Sequence, residues 1–314
     1  MKSRLSLRAG SWIKTSFAVA AAAVCSGGSS MRVTVRTLAS RQHRPAMIHR
    51  QRDQQQWESS NWSGYAVTGT NGSVTDAKAS WKVPQAVCPA NTSNGSGGYS
   101  AFWVGIDGWS SSTVEQIGTD SDCVSLSGAP YTPTYYAWFE FYPQNSYYLE
   151  FGNGQCKSMP NSATCVSPGD AISAEVKYSG TATGRRGGPT FTVIITDMTQ
   201  GWTFSTTSVV SRAQQSSAEW IAETPCCQRN GQFLPLADFG AANYGANFTS
   251  VPGTSYATVS SIAGPIGSFG NNIQESTMVV ESCAGSPSCT VMAQPSALSP
   301  DGSSFSVAWM NAGP

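Results

Sequence analysis

The stretch SAEWIAETP, residues 217–225, decides how the surrounding sequence folds. Two glutamates, Glu219 and Glu223, stand four residues apart in a chain of 314 residues with only 18 acidic side chains. Residues four apart share a face on a helix and also on a strand, so the type of element determines what the pair can do. Pro225 closes the stretch, as prolines commonly do at the ends of strands. We interpret it as a strand with Glu219, Ile221 and Glu223 on one face.

Similar alternating runs recur throughout the chain. They are rich in Val, Thr, Tyr, Phe and Trp and are separated by Gly, Pro, Asn and Ser, as in YYAWFEFYP at 135–143 and TFTVIITDMT at 190–199. Period-two alternation with turns about every ten residues is typical of antiparallel sandwiches and barrels. No long segment has a helical period. The sequence therefore predicts an all-β fold, with one domain over residues 57–314.

The first thirty residues have the pattern of an export signal. Four basic side chains precede the apolar run TSFAVAAAAVC at 15–25, and small residues follow it. This pattern predicts a signal peptide over residues 1–30, and the run is too short for an ordinary membrane-spanning helix. Cys25 raises the alternative of a lipoprotein, although the valine before it fits poorly. We expect a secreted, extracellular protein with no membrane association after signal removal.

Charge is distributed unevenly along the chain. Residues 1–52 contain ten Lys/Arg and no Asp/Glu, whereas residues 53–314 contain eight Lys/Arg and eighteen Asp/Glu. The acidic domain has no basic character for binding nucleic acid. Residues 31–56 are interpreted either as a disordered linker or as a basic propeptide that covers an acidic groove and inhibits it. Strong acid would weaken such a cover as the carboxylates protonate.

The cysteines favour disulfides over metal. Eight follow Cys25, and an even number in an exported chain suggests a disulfide framework. Zinc is disfavoured because no C-x-x-C occurs and no histidine follows His49, so we expect no cofactor. Cys226 and Cys227 could form a vicinal bridge or find separate partners. The other pairs considered are Cys156–Cys165, Cys283–Cys289 and, as a guess, Cys88–Cys123.

The lack of histidine after His49 also removes much catalytic chemistry. A Ser-His-Asp or Cys-His system and a His-ligated metal centre cannot be built from the remaining chain. No Asp-Thr-Gly or Asp-Ser-Gly signals a pepsin-like site, and no phosphate-binding glycine loop opens a helix. Paired carboxylates would suit glycoside hydrolysis. One carboxylate with a polarising amide would suit the addition of water to a peptide carbonyl.

Four sequence blocks, taken in order, resemble the glutamic peptidases, or eqolisins. They are FWVGIDG (102–108), VEQIGTD (114–120), YYAWFEFYP (135–143) and SAEWIAETP. The resemblance spans roughly residues 59 to 262. It implies a sandwich of two antiparallel sheets, a lectin-like jelly roll, stapled here by disulfides. It further implies a monomeric acid endopeptidase that hydrolyses polypeptides and is insensitive to pepstatin.

The resemblance assigns the catalytic pair to Gln116 and Glu223. Glu223 would take a proton from a water that attacks the scissile carbonyl, and the Gln116 amide would donate to the developing oxyanion without ever titrating. Glu223 would then need a pKa near 4.3 or below to stay ionised in acid. Glu115 and Ile117 flank the glutamine in place of the residues of fungal members. The expected substrate-binding residues are Trp103, Asp107, Trp138, Glu140 and Glu219.

Several of these residues also have ordinary structural explanations. Glu219 lies about 13 Å from Glu223 along a strand, too far for the two to share a proton, so a supporting role is expected. Asp107 could satisfy a turn, and the tryptophans could be core residues. A carbohydrate-binding or glycan-cleaving sandwich is the alternative function, because the Trp/Tyr-rich faces could stack on sugars. A non-catalytic adhesion module is a third hypothesis.

Overall fold

The computed structural model describes the chain in segments: residues 22–25, 30–38, 41–53, 55–89, 97–125, 130–152, 156, 163–185, 187–226 and 232–313. Within them the strands are β1 (Ala22–Cys25), β2 (Ser30–Thr37), β3 (Ile48–Asp53), β4 (Gln56–Ser59), β5 (Trp62–Thr68), β6 (Val74–Lys82), β7 (Ala101–Ile106), β8 (Val114–Val124), β9 (Thr132–Tyr142), β10 (Tyr147–Phe151), β11 (Ala171–Ala182), β12 (Gly188–Asp197), β13 (Trp202–Val209), β14 (Ser217–Glu223), β15 (Ala241–Tyr244), β16 (Tyr256–Val259), β17 (Ile262–Pro265), β18 (Ile273–Val279), β19 (Val291–Pro295) and β20 (Phe305–Trp309). The short helices described are α1 (Ala246–Thr249) and two 3₁₀ turns, Ile266–Asn272 and Glu281–Cys283. No helix in these segments is long and apolar enough to cross a bilayer.

Two antiparallel sheets face each other. The front sheet has the strand order β9–β8–β7–β14–β5–β18. The back sheet runs β6–β11–β12–β13, with β15 and β16 both pairing with β6. Strand pairing continues around both edges, through β19 and β20 on one side and through β1, β2 and β10 on the other. The all-β, two-sheet prediction is confirmed.

The core lies between the two sheets because alternate side chains of each strand point inward. Trp81 of the back sheet donates its indole N–H to Thr119 Oγ1 of the front sheet at 2.9 Å. The predicted alternation of SAEWIAETP is confirmed, since Ala218, Trp220 and Ala222 join this core while Ile221 joins a second cluster on the outer face. Large buried core side chains include Phe102, Val104, Phe139, Phe191, Val193 and Phe204.

One glycine sets the spacing on the outer face of the front sheet. Gly118 of β8 lies directly between Trp103 of β7 and Trp138 of β9 in register. A Cβ at this position would lie 2.3 Å from the Phe102 carbonyl oxygen and 2.6 Å from the Trp103 Cβ. A larger residue here would push against the backbone of β7 and the base of the Trp103 side chain.

The leading part of the chain is built into the sandwich. β2 pairs with β10, and β3 pairs with β4, which itself pairs in parallel with β18. Residues 41–47, called here the cover segment, join β2 to β3 and cross the outer face of the front sheet. Residues 30–38 and 41–53 are therefore structured rather than a disordered linker. The predicted signal peptide lies outside the described residues except for β1 and Ser30.

Three disulfides staple the described part of the chain. They join pairs expected from the sequence, Cys88–Cys123, Cys156–Cys165 and Cys283–Cys289, so these pairings are confirmed. Cys226 is also disulfide-bonded, whereas Cys227 lies outside the described residues. The Cys88–Cys123 bridge holds the end of β8 against the loop that follows β6.

Candidate active site

Strand register gathers a polar cluster on the outer face of the front sheet. Because side chains alternate, every second residue of four neighbouring strands points the same way. The rows run Glu219–Gly105–Gln116–Glu140, then Ile221–Trp103–Gly118–Trp138, then Glu223–Ala101–Asp120–Tyr136. Six of the seven residues expected from the sequence thus share one face, and Asp107 is the exception.

Gln116 and Glu223 do not touch each other directly but meet at one peptide bond of the cover segment. The Gln116 Nε2 donates to the His43 carbonyl oxygen at 2.6 Å. The Arg44 backbone N–H donates to Glu223 Oε1 at 3.2 Å. The amide therefore faces the carbonyl oxygen, and the carboxyl group faces the nitrogen, of the same peptide unit.

Glu223 is fully buried, and its second oxygen accepts a hydrogen bond from a tryptophan. The Trp103 indole N–H donates to Oε2 at 2.8 Å, and the His43 Nδ1 lies 3.4 Å from the same oxygen. Of the expected groove residues, Trp103 therefore contacts the catalytic candidate directly. Gly118 leaves room for the Trp103 Cβ, from which this indole extends.

Burial raises the pKa of Glu223 well above its ordinary value. The Trp103 hydrogen bond lowers this pKa, while the nearby Glu140 and Asp120 raise it further. The expectation that donors hold the Glu223 pKa near 4.3 or below is wrong for this covered form. The physical reason is that the cover segment excludes the water that would stabilise the carboxylate.

His43 fills the centre of the cluster. Its ring stacks on Trp138 with centroids 3.6 Å apart and planes 6° from parallel, and its backbone N–H donates to Glu140 Oε2 at 2.9 Å. Burial lowers the pKa of His43 and raises that of Glu140 well above its usual range. Both side chains are thus favoured in their uncharged forms. Trp138 and Glu140 therefore bind the cover segment, in the place where substrate binding was expected.

Arg41 occupies an acidic pocket beside the catalytic candidates, made of Asp120, Asp122, Tyr136 and Tyr99. Its guanidinium group donates to the Asp122 carboxylate and to the Tyr136 hydroxyl oxygen and lies 3.8 Å from Asp120. It also lies over the Tyr99 ring, 4.4 Å from the centroid. The Arg41 side chain is only 14% exposed, so this is a largely desolvated cation.

Sequence reasoning missed the acidic pocket and the residues of the cover segment that fill the site. A signal for the pocket was present, since Asp120 and Asp122 are two apart on a strand and therefore share a face. Burial raises the pKa of both aspartates, and Arg41 opposes that shift in each. No sequence signal identified His43 and Arg41 as the occupants.

Backbone contacts fix the cover segment at both ends. Gln42 exchanges two hydrogen bonds with Cys226, at 2.7 and 2.9 Å. Asn61 lies just before β5. Its side-chain oxygen accepts a hydrogen bond from the Met47 N–H at 2.8 Å, and its side-chain nitrogen donates to the carbonyl oxygens of Arg44 and Pro45. The segment is therefore positioned by the main chain as well as by its side chains.

Asp107 supports the loop before β14. It adopts φ 68° and accepts hydrogen bonds from the backbone N–H groups of Gln214, Gln215 and Ser216 at 2.7–2.9 Å. The Ser216 hydroxyl adds a fourth at 3.0 Å. In this structure its carboxylate is used to shape the entry into β14, and its expected contact with substrate stays a prediction.

Glu219 is buried on the same face, with Gly105 between it and Gln116 in register. Burial raises its pKa well above the ordinary value, and the charge of Asp107 adds to the shift. Glu223 lies two rows away from Glu219 in register, and it bonds the cover segment and Trp103. Its role in substrate binding also stays a prediction. In the described part of the chain no group of three or more His, Cys, Asp or Glu side chains is arranged to hold a metal.

A family model identifies the family of this chain, and a solved structure shares its fold. The model of the peptidase A4 family matches residues 60–293. The crystal structure of scytalido-glutamic peptidase with a transition state analog inhibitor is similar in fold, with a TM-score of 0.54 and 23% identity over 80% of this chain and 98% of that chain. No curated protein sequence gave a significant match.

Proposed function

Because the chain belongs to the peptidase A4 family, we propose that it hydrolyses peptide bonds with Gln116 and Glu223 as its catalytic pair. The family makes the chain a glutamic peptidase, an enzyme that acts on polypeptides. The observation that carries the residue assignment is the arrangement of both side chains around the single peptide unit of His43 and Arg44. No contact among the described residues favours the carbohydrate-binding alternative.

The geometry supports different roles for the two groups, with Gln116 stabilising the oxyanion and Glu223 transferring protons. Gln116 donates to a carbonyl oxygen, which is where negative charge develops when water attacks. Glu223 lies at the nitrogen side, where it can remove a proton from water and later deliver one to the departing amine. The Trp103 indole N–H stabilises the Glu223 carboxylate while it serves as a base.

The cover segment is proposed to inhibit the enzyme in two ways. It occupies the position of a substrate, and its burial of Glu223 favours the protonated carboxyl group, which cannot act as a base. Residues 31–56 would then be a propeptide and residues 57–314 the catalytic domain. Once the segment leaves, Glu223 is open to water, and its pKa falls toward the ordinary range of a carboxyl group, which favours the ionised form that the mechanism needs.

Export and pepstatin insensitivity complete the proposal. Three disulfides suit an oxidising compartment outside the cytosol. The candidate site pairs one amide with one carboxyl group, unlike the two aspartates to which pepstatin is directed, so we expect a secreted acid endopeptidase that pepstatin does not inhibit.

The test is an assay of the acid-treated full chain on a denatured protein at about pH 3–4, near the ordinary carboxyl pKa, with pepstatin present. Glu223→Gln removes the base and should lower kcat by about 10²–10⁴-fold. Gln116→Ala removes the oxyanion donor and should lower it by about 10²–10³-fold. Glu281→Gln, at an exposed carboxylate, is the matched control. The assignment is wrong if both site variants cleave as well as the parent.

A further inference from the structure

The peptide unit held between Gln116 and Glu223 shows on which side of the site each end of a substrate would lie. The carbonyl oxygen of His43 faces Gln116, and the nitrogen of Arg44 faces Glu223. The chain after this bond therefore follows the path of the departing amine product. In the cover segment that path leads into β3 at Ile48. β3 thus marks a surface where the leaving-group side of a long substrate can lie.

Main-chain contacts line the path from the catalytic candidates to β3. The Asn61 side chain donates to the Pro45 carbonyl oxygen at 3.2 Å, and the Ser60 N–H donates to the Met47 carbonyl oxygen at 3.1 Å. Antiparallel pairing then begins with Ile48 opposite Ser59 and continues along β4. A chain that leaves the site in this direction is therefore guided to the edge of β4.

Other parts of the sandwich hold β4 in place. It pairs in parallel with β18 on its other side, and the Trp57 indole N–H donates to Gln274 Oε1 at 2.7 Å. Glu58 is fully buried, and its Oε2 accepts the Gly285 N–H at 3.2 Å, in the loop closed by the Cys283–Cys289 disulfide. Loss of the propeptide, as proposed above, would leave residues 57–59 as an open strand edge, ready to pair with another chain.

A single carboxyl group marks this edge. The Arg52 Nε donates to Glu58 Oε1 at 2.9 Å, and the Arg52 side chain is 29% exposed. When β3 leaves, Oε1 loses this partner, whereas the bond from Gly285 to Oε2 does not depend on β3. A carboxylate in a buried position is stabilised by a cation, and an open edge binds an extended chain through its main chain. The two features together fit an extended polypeptide that carries a basic side chain.

We propose that the β4 edge and Glu58 form an exosite that binds the leaving-group side of a long polypeptide substrate as an added strand. A basic side chain would take the place of Arg52, which is the ninth residue after the bond when Arg44 is counted as the first. The inference rests on the proposed function, because it assumes the position of the scissile bond and the loss of residues 31–56. The exosite favours long, unfolded chains over short peptides.

The experiment uses four peptides that share one cleavable sequence, with the acid-treated full chain freed of its released segment by gel filtration. One peptide ends after the fourth leaving-side residue. The other three continue through the ninth, which is arginine, its neutral isostere citrulline, or alanine. Rates are compared at the highest pH at which the enzyme is active, because an ionised carboxylate makes the stronger bond to a cation.

The arginine peptide should have a KM about tenfold below that of the citrulline peptide, the effect of one hydrogen bond to a charged group. The value of kcat should be equal for the two, because a contact so far from the cleaved bond acts alike in the ground state and the transition state. The citrulline peptide should in turn have a lower KM than the short peptide, since it still pairs with the edge of β4.

Glu58→Gln should bring the ratio of the arginine and citrulline KM values toward one. Glu281→Gln is the matched control, because it alters an exposed carboxylate just before the same disulfide loop, and it should keep the ratio. Cleavage of the short peptide by a variant shows that its catalytic pair is formed. The comparison of peptides in the parent decides the question even if Glu58→Gln does not fold.

Each outcome separates the exosite from the catalytic assignment. If the parent has the same KM for the arginine and citrulline peptides, or for the citrulline and short peptides, the exosite is refuted while the peptidase function stands. A Glu58→Gln enzyme that keeps the full ratio also refutes it. If the parent cleaves neither the peptides nor the denatured protein, the proposed function fails and the exosite fails with it.

Discussion

A single carboxyl group, Glu223, shows how the surroundings of a residue determine what it can do. Under the cover segment it is fully buried, and burial raises its pKa well above the ordinary value. The group is then favoured in its protonated form and cannot act as a base. The same residue with water beside it has the properties that the proposed mechanism requires. Removing the cover would thus change the chemistry of the site as well as its accessibility.

Glu219 allows the effect of burial on a carboxyl pKa to be tested without an activity assay. Its folded pKa is raised by burial, so its contribution to stability is fully present below the unfolded pKa and is lost as pH rises through the folded pKa. Glu219→Gln should make the free energy of unfolding fall less steeply as pH rises above the ordinary carboxyl pKa, by up to about 1.4 kcal/mol per pH unit. Urea unfolding across that range measures the slope.

The matched control is Glu281→Gln, which removes one carboxylate from an exposed position. If the unfolding free energy of Glu219→Gln changes with pH as steeply as that of the parent, Glu219 does not have a raised pKa in the folded protein. A variant less stable than the parent at pH 8 would also contradict the sign expected here.

Among the strands, β8 shows most clearly how the sequence pattern of an element places its residues in the site. Its even-numbered residues from Gln116 to Asp122 face outward, and Gly118 among them makes room for Trp103. The period-two pattern predicted which residues share a face. It could not predict that β7 would separate β8 from β14, since that order depends on pairing between segments about a hundred residues apart.

Gly118→Ala tests the role of this close approach. The added Cβ would meet the Phe102 carbonyl and Trp103, so the variant should lose about 1–3 kcal/mol of stability through overpacking. The displaced Trp103 indole should also lose its bond to Glu223 and lower kcat. Urea unfolding and steady-state kinetics measure the two effects.

Gly169→Ala separates crowding from backbone strain. Its Cβ would meet nothing within 4 Å, although the residue has a φ of +85°, so the variant should cost about 1–2 kcal/mol through backbone strain alone and leave kcat unchanged. If Gly118→Ala behaves like this control, the spacing of the indoles does not depend on the glycine.

At the scale of the whole molecule, charge complementarity joins the basic leading part of the chain to the acidic domain. Residues 1–52 carry ten positive and no negative side chains, and the rest carries an excess of ten negative ones, 18 − 8. Among the described arginine ion pairs of this leading part, that of Arg41 with Asp122 is the most buried, whereas that of Arg36 with Glu150 is exposed. Buried pairs lose more than exposed ones when one partner is removed.

Arg41→Gln should therefore loosen the cover segment and activate the unprocessed chain. Removing the cation leaves two buried carboxyl groups unpaired, at a cost of about 3 kcal/mol. The initial rate of peptide cleavage, recorded before any processing of the chain, should rise above that of the parent. Arg36→Gln is the control from the same part of the chain. Equal initial rates for parent and Arg41→Gln, or equal activation by both variants, would argue against inhibition through this pocket.

The sequence by itself determined the all-β class, the strand parity and the face shared by Glu219 and Glu223. These follow from local periodicity, which needs no knowledge of distant partners. It also suggested Cys156–Cys165 and Cys283–Cys289 from their short spacing, with Cys88–Cys123 as a guess, and, through the resemblance, it indicated the family. Gln116 and Glu223 became candidates by that route.

Only the tertiary structure decided what meets at the outer face of the front sheet. Pairing of β14 with β7, and of β7 with β8, places Gln116 and Glu223 on either side of one peptide unit. The same pairing puts Arg41 into the acidic pocket and moves Asp107 to the support of a loop. Burial, which governs the pKa of Glu223, is a property of all the elements that surround it, so no local pattern in SAEWIAETP could have revealed it.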